Sequence, residues 1–389
     1  MFLRRGLAIV AVAIAGCAPA AAAPAEPKTP TKIEASNQII STKVQGTAKE
    51  LRARGEHALL AQSWQEAVDA FEALLAGDPA SANDPAVLYD LALAYEGIGE
   101  REKARARFRE VSTRFPDDPN ARSALAREVS LDAYLEDWKA LGETGDRILA
   151  RPSLEPADKM LGLGARGLAR ITTGDEAGAA KDVNEGLDIV EETRFGATGQ
   201  LPVAAAMLKY AQGEIRKTKS EKIVLNPPPP DFVRQLEMRC QYLLDAQSSY
   251  ADAIRSVDLH WAAMSGVRVG QMYRTLHQHL MMIPPTEKAK TDSDKQLFYG
   301  IMHVRYRALL DKGIEMMKRT LALGSKPEMQ GVATAWMKRA EEAKKEMEEA
   351  LEQEKAILKT FPYTEETLEK TLEIMKKKAA DEAAKASAK

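Results

Sequence analysis

The chain has 389 residues, with 55 Lys and Arg against 57 Asp and Glu and a formal net charge of −2. That balance lacks the clustered basic excess that nucleic-acid binding needs, so no nucleic-acid partner is expected. Aromatic residues make up 6% and β-branched residues are sparse, while Ala, Leu, Glu, Lys, Arg and Met abound, so the composition favours an all-α fold.

The chain opens MFLRRGLAIVAVAIAGC. Arg4 and Arg5 form a short basic start, and Leu7 to Ile14 is an apolar run too short to span a bilayer but suited to a signal-peptide core. Small residues, Ala15 and Gly16, then lead into Cys17. The tetrad Ile14-Ala15-Gly16-Cys17 resembles the bacterial lipobox. The resemblance implies cleavage just before Cys17 and a diacylglyceryl group on its sulfur. The alternative is a plain secretory signal cut elsewhere, which leaves unexplained why the cysteine abuts the small pair. Ala18, where Asp would mark inner-membrane retention, implies by the same resemblance the outer membrane, with the body facing the periplasm. Residues 1–16 are thus expected to be a lipoprotein signal peptide. Residues 17–34 are expected to be a lipidated cysteine followed by an extended Ala/Pro linker. Without residues 1–16 the charges become 53 basic against 57 acidic, about −4. Cys240 is the other cysteine, and with Cys17 acylated it has no disulfide partner.

Residues 35–193 carry a repeat. Ala67, Phe71 and Pro79 reappear as Ala104, Phe108 and Pro116, each shifted by 37 residues, and Gly55 matches Ala92. A fixed period with small–aromatic–proline spacing marks a helical hairpin. The pattern resembles the tetratricopeptide repeat (TPR) family: Leu88, Leu91-Ala92, Tyr95, Ala104, Phe108 and Pro116 occupy its positions, and Gly99 falls at its inter-helix turn. The first copy departs at Arg54 and Ala58. The family's period is about 34 residues, which places the extra residues in the stretch SANDP. Ser63-Trp64-Gln65-Glu66 reads as a capping box opening the second helix of the first unit. Beyond Pro116 the pattern decays. Leu125-Ala126, Val129 and Trp138 echo it once, and Gly167, Gly174-Asp175 and Ala179 echo it again, giving two good repeats and two degenerate ones.

Residues 194–230 read as a junction, with a helix-like VAAAMLKYAQGEIRKTKSE followed by a run of prolines that forms a stiff spacer. Residues 231–378 are expected to form long antiparallel helices, as diverged hairpins or a bundle. Leu236, Cys240, Leu243, Gln247, Tyr250, Ile254, Val257 and Trp261 run at alternating spacings of four and three, with a potential split at Ser256 to Asp258. Val269, Tyr273, Leu276, Leu280 and Ile283 continue to Pro284-Pro285. Val269-Gly270 and Tyr273 again carry the repeat's spacing. Further helices are predicted from about Asp294 to Leu323, Pro327 to Thr360 and 364–378, and residues 379–389 are expected to fray.

Chemistry is hard to find. The histidines are His57, His260, His277, His279 and His303, and His277 and His279 are two apart, so on a helix they face different ways. There is no HExxH and no CxxC, Cys240 sits on an apolar stripe, and GLGARG near 162 reads as a link between helices without the strand a phosphate loop requires. Paired acids read as solvated faces with matching lysines. The expectation is no catalytic residue, metal, cofactor or small-molecule substrate, and no enzyme. What remains is binding. The TPR resemblance implies a groove lined by first-helix side chains at Lys49, Arg52, Glu56, Tyr89 and Glu96. The expected function is a non-enzymatic outer-membrane lipoprotein whose periplasmic scaffold binds proteins of an envelope-spanning machine for motility or secretion. The layout resembles the TPR lipoproteins of myxobacterial gliding motility. The alternative is coordination of peptidoglycan synthesis or hydrolysis, or assistance to outer-membrane protein assembly.

Overall fold

The computed structural model describes residues 45–194, 202–255, 258–287, 289–325 and 334–387. The signal-peptide and linker expectations, Cys17 included, lie outside the described residues. So do 195–201 of the junction and Val257 of the apolar stripe. Among the described residues there is no strand, and no helix is long and apolar enough to cross a membrane.

The first half is four hairpins: α1 (Ala48–Leu60) with α2 (Trp64–Gly77), α3 (Pro85–Gly97) with α4 (Arg101–Arg114), α5 (Pro119–Tyr134) with α6 (Trp138–Leu149), and α7 (Pro156–Thr173) with α8 (Glu176–Glu192). Each turns in the same way. Gln62, Gly99, Glu136 and Gly174 all have positive φ and recur at steps of 37, 37 and 38 residues. The next residue in each case, Ser63, Glu100, Asp137 or Asp175, sends its N–H back to Ala58, Tyr95, Asp132 or Arg170. This six-to-one bond with a left-handed residue before it is a Schellman stop, here followed at once by the next helix. The degenerate third and fourth units therefore keep the turn even where they lose the side-chain signature.

Helix starts follow from local chemistry. Thr47 and Glu50 form a capping box at α1. Asp84 and Asp118 accept backbone N–H bonds just before Pro85 and Pro119, which fit the first helical position because they have no N–H to orphan. The capping box expected at Ser63 does not form. Ser63 makes no side-chain cap bond, although Asp137 and Asp175 at the equivalent turn positions do, and Glu66 pairs with Arg54 instead. The extra residues of SANDP lie in a short 3-10 turn, Pro79–Asn83, between the first two hairpins. GLGARG is not a link between helices. It lies inside α7, where its glycines allow close approach of three neighbours: a Cβ at Gly162 would meet Leu149, at Gly164 Met207 and at Gly167 Val183, each at 2.8 Å.

The second half continues with α9 (Val203–Glu221), α10 (Phe232–Ile254), α11 (Leu259–Met281), α12 (Asp292–Gly324), α13 (Thr334–Leu358) and α14 (Glu365–Ser387). Helix α10 ends at Ile254 and α11, capped by Asp258, starts at Leu259; the expected split point at Ser256 and Val257 lies outside the described residues. At 33 residues, α12 is the longest, about 50 Å at the helical rise. The last helix is described to Ser387 rather than ending at 378, since the Ala, Lys and Glu that follow are strong helix formers.

From α1 to α13 neighbouring helices pack in chain order, and a second set of contacts joins α1 to α3, α3 to α5, α5 to α7, α7 to α9, α9 to α11 and α11 to α13. The odd-numbered helices thus form one layer across residues 44–373, a compact unit. One core gathers Phe71, Leu88, Leu91 and Phe108 between α1 and α5. A larger one runs from Leu125 in α5 to Met347 in α13, and α5 contributes alternate faces to both. The small-against-aromatic logic holds at atomic detail: a Cβ on Gly55 would lie 2.7 Å from the ring of fully buried Phe71. A third, smaller cluster joins Val304, Leu358, Leu368 and Leu372.

Candidate functional site

The paired acids of the sequence are not all on solvated faces. Glu128 and Asp132 on α5 are both 0% exposed. Glu128 accepts from Arg109 of α4 at 2.6 Å, Arg147 of α6 at 2.5 Å and Ser112 at 3.2 Å. Asp132 accepts from Thr144 at 2.9 Å and Arg105 at 3.2 Å, and burial beside Glu128 pushes its pKa up to about 6. Asp182 on α8 is clamped by Arg166 and Arg170 of α7 at 2.8 and 2.7 Å. Glu214 on α9 faces Arg268 of α11 at 3.0 Å. On α13, Glu354 is held by His277 of α11 at 3.3 Å and by His303 of α12. Residue spacing alone could not separate these acids from solvated ones, because the deciding cations come from other helices.

These clusters tie neighbouring helices together by ion pairs. His277 and His279 point apart, as expected: the first reaches α13, the second lies against Arg239 of α10. His260 is buried among Tyr134, Trp261 and Trp336, and burial drives its pKa down to about 3, so it is neutral. The Cys240 thiol is half-buried and pushed up by burial, the opposite of a nucleophile's environment. Among the described residues, no group of three or more His, Cys, Asp or Glu is placed to hold a metal.

The open site is a groove of about 640 Å³ on the odd-helix layer. Helix α1 gives it Glu56, Leu59 and Leu60, the start of α2 gives Trp64, α3 gives Asp90, Leu93, Glu96 and Gly97, and α5 gives Arg127. Leu60 is 87% exposed, the most exposed large apolar side chain among those described. It is there because the last turn of α1 has no helix to cover it. Gly97 lets the Trp64 indole lie flat against α3, since a Cβ there would come within 2.3 Å of the ring.

Of the five residues the resemblance implied, two line this groove: Glu56 and Glu96. Arg52 sits at its rim, bonded to Glu56 at 2.9 Å and Asp84 at 2.6 Å. Tyr89 is half-buried, edge-on to Phe108 at a ring distance of 5.4 Å, and its side chain also interacts with Arg127 of the groove lining. Lys49 is exposed on the first turn of α1. The residues missed were Leu59, Leu60, Trp64, Asp90, Leu93, Gly97 and Arg127. Asp90, Leu93 and Gly97 share one face of α3 at helical spacing, which was a readable signal. Arg127 lies in a degenerate repeat, where family positions could not be carried over.

The charges of the groove are mostly neutralised from within. Arg127 donates to Glu96 at 2.7 Å, and Glu56 is held by Arg52. Asp90 is half-buried, and its pKa is raised to about 6 by burial first and then by the charge of Glu56.

Comparison with known proteins covers the same stretch. Residues 58–128 match the family model of the tetratricopeptide repeat. The match runs from the end of α1 through most of α5 and includes Leu59, Leu60, Trp64, Asp90, Leu93, Glu96 and Arg127. No curated protein matches the chain. Among solved structures, a tetratricopeptide repeat protein from Parabacteroides merdae is similar over 76% of this chain and 98% of its own, at 12% identity and a TM-score of 0.38. At that score the likeness carries no argument about function.

Proposed function

We propose that this chain is a non-enzymatic scaffold, lipid-anchored at Cys17 in the outer membrane and facing the periplasm, that holds partner proteins of an envelope-spanning assembly for motility or secretion. The observation that carries the binding role is the solvent-open apolar groove at Leu60 and Trp64, on the stretch that matches the tetratricopeptide repeat. Exposed apolar side chains framed by charged ones suit a protein partner, since burying them is the dominant gain in association. The lipobox-like Ile14 to Cys17 supports the anchor. Two chains on one cysteine suffice for stable membrane attachment.

A photocrosslinking amino acid at Leu60, introduced in cells, should capture envelope proteins. Crosslinks that persist when Trp64→Asp and Leu93→Asp spoil the groove would refute the groove as the docking site. A Cys17→Ser variant should leave the membrane fraction. Retention there would refute the anchor. Co-sedimentation with purified sacculi in place of protein crosslinks would favour coordination of peptidoglycan synthesis or hydrolysis.

A further inference from the structure

Resting on the reading of this groove as a protein-docking site, we propose that its occupant is a peptide segment that sets a lysine or arginine beside a large apolar side chain. The cation meets Asp90 while the apolar group lies on Leu60, Leu93 and Trp64.

The argument is one of charge complementarity. The groove lining carries three carboxylates, Glu56, Asp90 and Glu96, and one cation, Arg127. The charged groups around Asp90 come from every side: Arg52 and Glu56 of α1, Asp84 at the start of α3, Glu96 of α3 itself and Arg127 of α5. Arg52 is engaged by Glu56 and Asp84, and Arg127 by Glu96. Asp90 has neither a hydrogen bond nor an ion pair among the described residues, though it is half-buried. A carboxylate partly removed from water, which feels Arg52 only through space because that cation is bonded to Glu56 and Asp84, is a cost in the free protein. A cation from outside, shielded by the apolar walls, removes that cost and adds a charge-assisted hydrogen bond. An acidic or neutral segment leaves it in place. The groove, about 640 Å³, has room for a pair of anchoring side chains. Leu60 and Trp64 lie on the α1–α2 turn while Asp90 and Leu93 lie on α3, so the apolar and ionic contacts sit side by side.

The titration of Asp90 adds a signature. Its carboxyl is held at about 6, so a cation binding there releases a proton in weakly acidic solution. Affinity for a basic segment therefore rises as pH climbs through about 6 and levels off above.

The test is selection from a phage-displayed library of random peptides about a dozen residues long, against the full chain, with counter-selection on Leu60→Asp. The proposal expects enriched sequences to place Lys or Arg next to Leu, Ile, Phe or Trp. A synthetic peptide of the consensus should then bind about tenfold more weakly to Asp90→Asn at pH 7.5, with the gap closing toward pH 5. Its Lys→Glu version should bind neither protein. Leu60-dependent enrichment without a basic residue, or a consensus peptide indifferent to Asp90→Asn, overturns this inference and leaves the docking groove standing. Enrichment that ignores Leu60 overturns both. A concentration-dependent mass in light scattering that Leu60→Asp abolishes would seat a second copy in the groove and also overturn it.

Discussion

Replacing Glu354 by Gln tests how the long helices hold one another. The carboxylate is 6% exposed and lies between His277 of α11 and His303 of α12. Burial alone would raise its pKa; the hydrogen bonds and charge of the two imidazoles outweigh burial and bring it from 4.5 to about 2. A carboxyl whose pKa falls that far on folding contributes about 3 kcal/mol near neutral pH. Because the folded value is the lower one, the contribution is complete above the unfolded value of 4.5 and fades as pH drops toward 2. Urea titrations of both proteins, followed by far-UV circular dichroism, should show Glu354→Gln less stable by about 3 kcal/mol at pH 7 and by only about 1.5 kcal/mol at pH 3. Hydrogen exchange should place the loss in α13 and its contacts with α11 and α12. A deficit that is the same at both pH values, or under about 0.5 kcal/mol at pH 7, would refute the view that an ionised Glu354 ties these three helices together.

Other outcomes follow from the turns, the buried pairs and the cysteine. Gly174 has φ +97 and open space where a Cβ would go, so Gly174→Ala should cost about 1–2 kcal/mol from backbone strain alone, while Gln62→Gly, at φ 56, should gain about 0.5 kcal/mol in thermal or urea melts. Glu128→Ala should cost about 1–3 kcal/mol by removing the buried acceptor shared by Arg109, Arg147 and Ser112. Lys345→Ala, whose ion pair with Glu349 is exposed, should change stability by less than about 0.5 kcal/mol in the same assay. Cys240 in the native chain should react with a thiol reagent at neutral pH more slowly than in urea, because its half-buried thiol resists ionisation; equal rates would refute this.

The parts of this architecture legible in the sequence are those written locally and twice. Ala67 with Phe71 and Ala104 with Phe108 declared the first two hairpins, because a helix pair needs a small residue and a ring at fixed offsets wherever it occurs. Gly174-Asp175 declared the fourth turn, because only glycine takes that backbone shape without strain. The third turn was harder, since Glu136 adopts the same shape without a glycine to announce it. Ser63 misled because its partner in the expected box, Glu66, is drawn to Arg54 of the preceding helix, a contact that local sequence does not show. The groove was half legible. Family positions pointed to Glu56 and Glu96, but the apolar floor at Leu59, Leu60 and Leu93 depends on which helix end has no neighbour. The buried acids Glu128, Asp182, Glu214 and Glu354 were the least legible, as each is defined by a basic residue on another helix.

Those acids bear on a problem that every chain of look-alike units faces: a hairpin can dock against the wrong neighbour, or slip along by one. Grease alone would tolerate the slip. Here three junctions beyond the second hairpin are keyed by different pairings: Glu128 of α5 with Arg109 of α4, Glu214 of α9 with Arg268 of α11, and Glu354 of α13 with His277 of α11 and His303 of α12. A mispaired hairpin would strand an ion at its seam, at a penalty of several kcal/mol each time. The order of these units is thereby enforced by mismatch, so that moving a hairpin that carries Glu128, Glu214 or Glu354 to another slot should fail unless its ionic counterpart travels with it.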